Sequence, residues 1–207
     1  MRIKSWLALS STTLVIGVIT AYLVAFIFRG ADLLTFFGFE NSGLGGTYLL
    51  LLGLLFSVVS QALFFSYQFI QYFATSLLGT WMWKYLQVIL VLITGIDLGY
   101  LRWVRFPDQS MPFWMFLDWT FILILGTFLV VWMKVKMTNA NAWVPGFFYM
   151  IVSTVIGAFY AFKTYQNALI WFVVLPIFLC NAWQLIMLPY FLTSKKMKIT
   201  RNDSVTG

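Results

Sequence analysis

Two carboxylates lie within otherwise apolar segments of the chain, and their chemistry stands out first. Asp97 comes near the end of one such segment and Asp118 near the start of the next. A carboxylate inside a membrane-spanning segment is a candidate for relaying protons or binding a cation. The loop between the two segments contains Arg102 and Arg105. We favour a structural interpretation, in which Asp97, Asp118, Arg102 and Arg105 form one outer charged cluster.

A polar stripe follows one face of a predicted helix between residues 56 and 71. Its members lie at offsets of 0, 3, 4, 11 and 14 residues: Ser57, Ser60, Gln61, Gln68 and Gln71. These offsets are typical of one helical face. Because an unpaired amide is disfavoured in hydrocarbon, we expect this helix to turn its polar face into a bundle. The other helices should then gather around it.

A second polar pair, Asn181 and Gln184, lies about one helical turn beyond Pro176. Proline removes a backbone donor and can kink a helix, which frees a carbonyl group for a neighbour. We predict hydrogen bonds between helices here, with Gln61 bound to Asn181 or Gln184. A polar substrate path is the alternative, and Gln87 could join either arrangement. The predicted interhelical polar cluster comprises Ser57, Ser60, Gln61, Gln68, Asn181 and Gln184.

Few residues of the chain could support catalysis. Histidine is absent and Cys180 is the only cysteine, which excludes an ordinary His/Cys metal site and a histidine-dependent protease. The GxGD context of carboxylate-dyad intramembrane proteases is missing around Asp97. We therefore expect no enzyme activity and no catalytic, cofactor-binding or metal site. Gly95 and Gly99 form a GxxxG pattern, which allows two helix backbones to approach closely, most simply within the monomer.

The composition indicates that the solvent around these segments is lipid. Of the 207 residues, 62% are hydrophobic and only 9% are charged, whereas soluble domains carry about 25% charged residues. Six segments are long enough to cross a bilayer core of about 30 Å. We expect an all-α integral membrane protein, with one transmembrane domain over residues 1–192 and helices near 6–28, 47–70, 84–101, 113–133, 143–162 and 169–192.

The basic residues predict the orientation of this six-helix bundle. With the N-terminus inside, nine of the 13 Lys and Arg residues fall on the cytoplasmic side, so both termini should lie in the cytoplasm. Because the charges flank apolar segments, we expect a lipid bilayer as partner and no nucleic acid. Residues 29–46 are expected to form a short interfacial helix on the outer surface, with a ligand lid as the alternative. Residues 193–207 should form a mobile, basic cytoplasmic tail.

Three stretches resemble one known family. The stretches FSVVSQALFFSYQF, IDLGYLRW and CNAWQLIMLPYF are similar to the KbaA family of spore-forming bacteria, which activates the KinB signalling pathway. The resemblance extends from the first predicted helix to about Leu192, and the tail from Thr193 lies outside it. The positions that match the family's pattern are Ser57, Ser60, Gln61, Asp97, Asn181 and Gln184.

The resemblance implies a regulatory function in the bacterial cell membrane. It implies a multi-pass protein that promotes activation of a membrane sensor histidine kinase pathway controlling the start of sporulation. The implied partner is that kinase or its accessory protein. The alternative is a small-solute or ion transporter or channel, and the absence of an inverted repeat favours the regulator. The polar path of that alternative would run through Gln61, Asn181, Gln184, Asp97 and Asp118.

Overall fold

The structure of the chain is a computed structural model, and it describes residues 3–27, 45–105, 117–163 and 167–203. Within these ranges the side chains of residues 3–4, 102, 105, 167–168 and 191–203 are not described. The described chain is all-helical. Its five α-helices are α1 (Ile3–Ile27), α2 (Gly45–Arg105), α3 (Asp118–Met137), α4 (Trp143–Gly157) and α5 (Asn167–Asp203), with short 3₁₀ helices at Ala140–Ala142 and Ala161–Lys163.

Helix α2 is folded back on itself at Gly79. The backbone there has φ 76° and ψ 162°, a conformation that glycine adopts readily and other residues rarely do. Across this break the amide of Gln87 donates to Gln71 at 2.8 Å, although the two residues would lie about 24 Å apart in an unbroken helix. The first arm (residues 45–78) and the second arm (80–105) therefore form a helical hairpin.

The hairpin changes how the predicted segments appear in the structure. Five helices are long and apolar enough to cross a membrane, and the longest covers 57 residues, Gly45–Leu101. It contains the segments predicted at 47–70 and 84–101. Residues 71–83, expected as a connection, are helical except at the break. Fully extended, 57 residues of helix would measure about 85 Å, well over twice the thickness of a bilayer core.

The most buried helix is α5. In an apolar stretch of 18 residues from this helix, 61% of the residues are buried, against 22–39% in the matching stretches of the other four candidate spans. The polar helix at residues 56–71 contacts α1, α4 and α5 through Gln61, Tyr67 and Ser60, as expected, although α5 is the more buried helix. The reason is that α5 carries two buried amides, Asn181 and Gln184, and these need partners on several sides. The backbone of α5 also continues as helix through Thr193, where we expected a mobile tail, to Asp203.

The interior contains two apolar clusters with a polar layer between them. One cluster includes Phe56, Ile177 and Ala158, and the other includes Phe64 and Leu185. Phe56 and Phe64 of α2 are about two helical turns apart, and so are Ile177 and Leu185 of α5. Polar side chains lie between the two residues of each pair in sequence. This arrangement places polar groups in the middle of the bundle, with apolar packing on both sides.

Some predictions fall on residues outside the described ranges. The interfacial helix predicted at residues 29–46 lies almost entirely there, and only its last two residues are described, as the start of α2. The side chains of Arg102 and Arg105 are likewise not described. The ion pairs predicted for them stay predictions.

Candidate functional site

Asn181 of α5 is the centre of a buried polar cluster. Its Oδ1 atom accepts hydrogen bonds from Ser60 Oγ at 2.7 Å and from Tyr149 OH at 3.1 Å. Its Nδ2 atom donates to Ser153 Oγ at 3.3 Å and to Thr154 Oγ1 at 3.2 Å. The side chain is fully buried. Both amide protons and both oxygen lone pairs are thus used, which is the full capacity of an asparagine.

Gln184 closes the cluster one turn further along α5. Its Nε2 atom donates to Ser60 Oγ at 3.3 Å, and its Oε1 atom lies 3.1 Å from Tyr149 OH, whose single proton is shared between this oxygen and Asn181 Oδ1. The Ser60 hydroxyl therefore accepts one bond from α5 and donates another to it. The Ser153 hydroxyl donates to the Tyr149 carbonyl oxygen. All six side chains of the cluster are at most 5% exposed, so it is closed to solvent.

Three helices contribute to this cluster, hereafter the Asn181 cluster. Ser60 comes from the first arm of α2, Tyr149, Ser153 and Thr154 come from α4, and the two amides come from α5. The sequence analysis did not identify the α4 residues. The available signal was the spacing of Tyr149 and Ser153, one turn apart in a highly apolar helix, which places two hydroxyl groups on one face.

Two further members of the predicted cluster, Ser57 and Gln61, contact α1. Ser57 Oγ lies 3.2 Å from the carbonyl oxygen of Thr13 and 2.9 Å from that of Gly53. Gln61 Oε1 accepts from Ser10 Oγ at 2.5 Å, and Gln61 Nε2 donates to the Ser10 carbonyl at 3.2 Å. The predicted bond from Gln61 to Asn181 or Gln184 is therefore wrong. Relative to Ser57, Gln61 is rotated about 40° one way around the helix and Ser60 about 60° the other way, so one stripe faces two neighbours.

Gln68 and Gln71, at the C-terminal end of the stripe, have other surroundings. Gln71 Oε1 accepts from Trp83 Nε1 at 2.8 Å and from Gln87 Nε2 at 2.8 Å, which joins the two arms of α2. Gln68 is half-buried, and its side chain makes no hydrogen bond within the part of the chain that the structure describes. Gln87 therefore belongs to the hairpin and not to the Asn181 cluster.

The two candidate carboxylates are exposed and lie away from the Asn181 cluster. Asp97 is exposed on the second arm of α2, and Asp118 is exposed at the start of α3. Asp118 Oδ1 accepts a hydrogen bond from the backbone N–H of Trp119 at 2.7 Å. A bond of 3.1 Å from Thr120 Oγ1 to the Gly95 carbonyl places both acids at the same end of this helix pair.

A close contact between two helix backbones lies away from the GxxxG pattern. A Cβ atom added at Gly53 would meet the Val18 Cα at 2.7 Å and the Gly17 carbonyl oxygen at 2.9 Å. At Gly95 an added Cβ would meet only the Thr120 methyl group, at 3.2 Å. Contact between backbones therefore occurs where α1 crosses α2, because Gly17 and Gly53 face one another. These two glycines fall on different segments, so no local sequence pattern connects them.

The chemistry open to the Asn181 cluster is hydrogen bonding between neutral groups. Its members are two amides, a phenol and three aliphatic hydroxyls, with neither carboxylate nor cation among them. No group of three or more His, Cys, Asp or Glu residues that could hold a metal occurs in the described ranges. Such a cluster can hold three helices in one register. It offers no group that would readily transfer a proton or bind an ion.

Comparison with known proteins identifies the family. The family model KbaA, described as KinB-signalling pathway activation in sporulation, matches residues 17–191. A protein of Bacillus subtilis (strain 168) named KinB-signaling pathway activation protein is 32% identical over 142 residues, which cover 67% of this chain and 71% of that protein. No solved structure matches the chain. The matched region contains every residue of the Asn181 cluster, and the chain belongs to the KbaA family.

Proposed function

We propose that the chain is a multi-pass membrane regulatory protein that promotes activation of a membrane sensor histidine kinase pathway controlling the start of sporulation. The observation that carries this proposal is the family match over residues 17–191. The matched region extends from α1 to α5, and the description of the family names activation of the KinB signalling pathway in sporulation. We propose that the protein acts without enzymatic activity, by contact with the kinase or with its accessory protein.

The proposed location is the bacterial cell membrane. Large apolar side chains cover much of the outside of the described bundle; Phe26, for example, is 87% exposed and Phe69 is 68% exposed. Lipid would bury such groups, whereas water would not. We propose six crossings with both termini in the cytoplasm. The hairpin at Gly79 supports this number, because each of its arms is long enough to cross once.

The geometry supports a regulator over a transporter. A transport path through Gln61, Asn181, Gln184, Asp97 and Asp118 would need polar atoms that are free to exchange partners with water or a solute. The amide of Asn181 instead has all its hydrogen-bonding capacity used inside the protein. Gln61 is bound to α1, and both acids are exposed outside the cluster. These residues therefore do not form one continuous polar track.

A genetic epistasis experiment tests the proposed function. The chain is expressed in Bacillus subtilis lacking its own KbaA-family protein, in one strain that keeps the KinB kinase and in one that lacks it. Spore yield and a reporter of the sporulation pathway are measured in both strains. We expect the chain to restore both readouts only where the kinase is present, since the proposed action passes through that kinase.

Protein abundance serves as the control in each strain. Equal abundance with and without the kinase ensures that a lost readout reflects lost signalling. Restoration in the strain that lacks the kinase would contradict the proposal, because the chain would then act by another route. Failure to restore either readout, despite normal abundance in the membrane fraction, would also contradict it.

A further inference from the structure

Two buried polar atoms in the described part of the chain have no hydrogen-bond partner. They are the Oε1 atom of Gln87 in the second arm of α2 and the Oγ1 atom of Thr127 in α3. Both residues are 0% exposed. Buried polar groups are nearly always paired in folded proteins, and an orphaned group destabilises the fold unless a water or a ligand meets it. Two such atoms at one place would therefore indicate a binding site.

The orientation of the Gln87 amide is determined by its neighbours. Trp83 Nε1 can only donate, so the Gln71 atom that it contacts at 2.8 Å is an oxygen. The same oxygen lies 2.8 Å from the nearer amide atom of Gln87, which must then be the nitrogen. Turning the Gln87 amide around would bring two acceptors together. The orphaned atom of Gln87 is thus an acceptor, and it requires a donor.

Thr127 differs from Thr13 and Thr20, two other buried threonines of the bundle. A helical threonine commonly donates its hydroxyl proton to the carbonyl one turn earlier. Thr13 and Thr20 make this bond, at 2.8 and 2.7 Å. Thr127 makes no such bond within the described chain, so its hydroxyl group remains available both to donate and to accept.

The two orphaned atoms belong to residues at the same depth in the bundle. The second arm of α2 and helix α3 are antiparallel, because Gly95 meets Thr120 at one end, while at the other Lys84 meets Asn141, in the 3₁₀ helix that follows α3. From the Gly95–Thr120 contact, Gln87 lies eight residues along one helix and Thr127 seven along the other. These separations correspond to about 12 and about 11 Å along the axes. Gln87 and Thr127 are therefore level with each other.

An apolar groove ends about one helical turn from this level, on the Gly95 side, and neither Gln87 nor Thr127 is among its lining residues. Its volume is about 170 Å³, and it is lined by α2, α3 and α4. Two of its lining residues, Val91 and Leu123, lie one helical turn from Gln87 and Thr127 respectively. A cavity of about 150 Å³ can hold a benzene molecule. The groove is thus large enough for a body the size of one six-membered ring.

We propose that this groove and the two orphaned atoms form a binding site for a small neutral amphiphile with a ring-sized apolar body and one hydroxyl group. That hydroxyl would donate to Gln87 Oε1 and accept from the Thr127 hydroxyl, so a single group satisfies both atoms. The site is separate from the Asn181 cluster. It adds a ligand class to the proposed function and does not depend on it.

Matched probe molecules test the site in the full chain. The protein is placed in phospholipid nanodiscs, and its unfolding temperature is followed by tryptophan fluorescence with increasing cyclohexanol or cyclohexane. The two probes share a ring and differ by the hydroxyl group. We expect cyclohexanol to raise the unfolding temperature more than cyclohexane at equal concentration in the bilayer.

Substitutions identify the atoms responsible. Thr127→Val keeps the side-chain shape and removes the hydroxyl, and Gln87→Leu removes the orphaned acceptor. Each should weaken the apparent affinity for cyclohexanol by about two- to tenfold, the loss of one hydrogen bond, and leave the response to cyclohexane unchanged. Thr20→Val is the matched control, because the Thr20 hydroxyl is already paired within α1. It should respond as the parent does.

Three results would overturn the proposal. Equal shifts from both probes would mean that the polar end is not used, or is filled by a water alone. The absence of any shift would mean that the groove binds neither probe. An unchanged preference for cyclohexanol in Thr127→Val would place its binding elsewhere, and this variant decides the question even if Gln87→Leu fails to fold. The epistasis experiment above has a separate readout, so either proposal can fail alone.

Discussion

At the scale of single residues, the Asn181 cluster is distinguished by the pairing of its buried side chains. Every polar side-chain atom in it has at least one hydrogen-bond partner within the cluster, and apolar clusters pack on both sides of it. Hydrogen bonds between helices in a membrane contribute about 0.6 kcal/mol each on average. A buried group left without its partner costs more, about 1–3 kcal/mol. The cluster therefore stabilises the fold most clearly through what its loss would leave unpaired.

Replacement of Asn181 by leucine tests how much the cluster contributes to the stability of the fold. Asn181→Leu removes four hydrogen bonds and leaves hydroxyls of α2 and α4 without that partner. We expect a loss of about 2–4 kcal/mol in unfolding free energy, measured by denaturation in nanodiscs, since more than one group is orphaned. Gln68→Leu is the matched control, and it should change stability by less than about 0.5 kcal/mol. Equal stability of the two variants would contradict the role given to the cluster.

Gln61 and Ser10 provide a second test, of the contact between α1 and α2. Because these side chains bond to each other, Gln61→Leu and Ser10→Ala should be coupled in a double-mutant cycle by about 0.5–1 kcal/mol. If the contact is purely structural, Gln61→Leu should lower protein abundance and signalling together. If Gln61 also recognises the kinase, signalling should be lost at normal abundance. Strict additivity of the two substitutions would show that the contact contributes no coupling.

At the scale of elements, two sets of glycines shape the bundle by different means. Gly17 and Gly53 lack a side chain where two helix backbones touch, so their contribution is steric. Gly79 faces open space, with nothing within 4 Å of an added Cβ, and its contribution is conformational. Gly17 and Gly53 set how closely α1 and α2 pack, whereas Gly79 reverses the chain within α2.

Alanine at the crossing should force the two helices apart. We expect Gly53→Ala to lower the unfolding free energy by about 1–3 kcal/mol, because the new methyl group would meet backbone atoms that cannot turn aside. Gly46→Ala is the control on the same helix, since its added Cβ would lie 3.6 Å from the Tyr22 hydroxyl, an ordinary contact. Denaturation in nanodiscs measures both. A smaller loss at Gly53 than at Gly46 would exclude the close crossing.

Alanine at Gly79 should be unfavourable for a different reason. Its φ of 76° is sparsely populated by residues with a side chain, and holding one there costs about 1–3 kcal/mol. We expect Gly79→Ala to lower stability within that range, although no atom obstructs the methyl group. Thr80→Ala, at an exposed helical neighbour, should have little effect. Equal stability of the two variants would mean that the hairpin does not require this backbone conformation.

At the scale of the whole molecule, and in the proposed membrane location, the hairpin determines whether the termini lie on one side of the membrane. If α2 crosses twice, the five candidate spans make six crossings, and both termini share one side. If α2 crossed once, the termini would lie on opposite sides. The distribution of Lys and Arg, with nine of 13 on one side, favours six crossings and a cytoplasmic location for that side.

Reporter fusions can measure this topology directly. A reporter that is active only in the cytoplasm should be active when fused before Met1, after Gly207 and when inserted at Gly79. A reporter that is active only outside the cell should be silent at all three positions. The insertion at Gly79 is the decisive one, because it reports on the hairpin itself. Activity at the two termini on opposite sides would rule out six crossings.

The helical segments and their apolar character could be predicted from the sequence, because both depend on local terms. Hydrophobic length and spacing of three or four residues are properties of a single segment, and they suffice to locate the helices and to single out Ser60, Asn181 and Gln184 as polar residues in apolar surroundings. They also suffice to connect the chain to its family. The same local terms do not say which helix is most buried, and that helix is α5, not the polar helix at residues 56–71.

Only the tertiary structure decided which side chains contact each other across helices. Ser57, Ser60 and Gln61 share one stripe, yet the rotation of about 100° per residue turns Ser60 towards α5 and the other two towards α1. The α4 partners of Asn181 are ordinary residues in sequence, and Gly17 and Gly53 lie on separate helices. Such contacts depend on how whole helices rotate and cross, which is set by packing of the entire bundle. A pattern within one segment carries no information about the neighbour that it will meet.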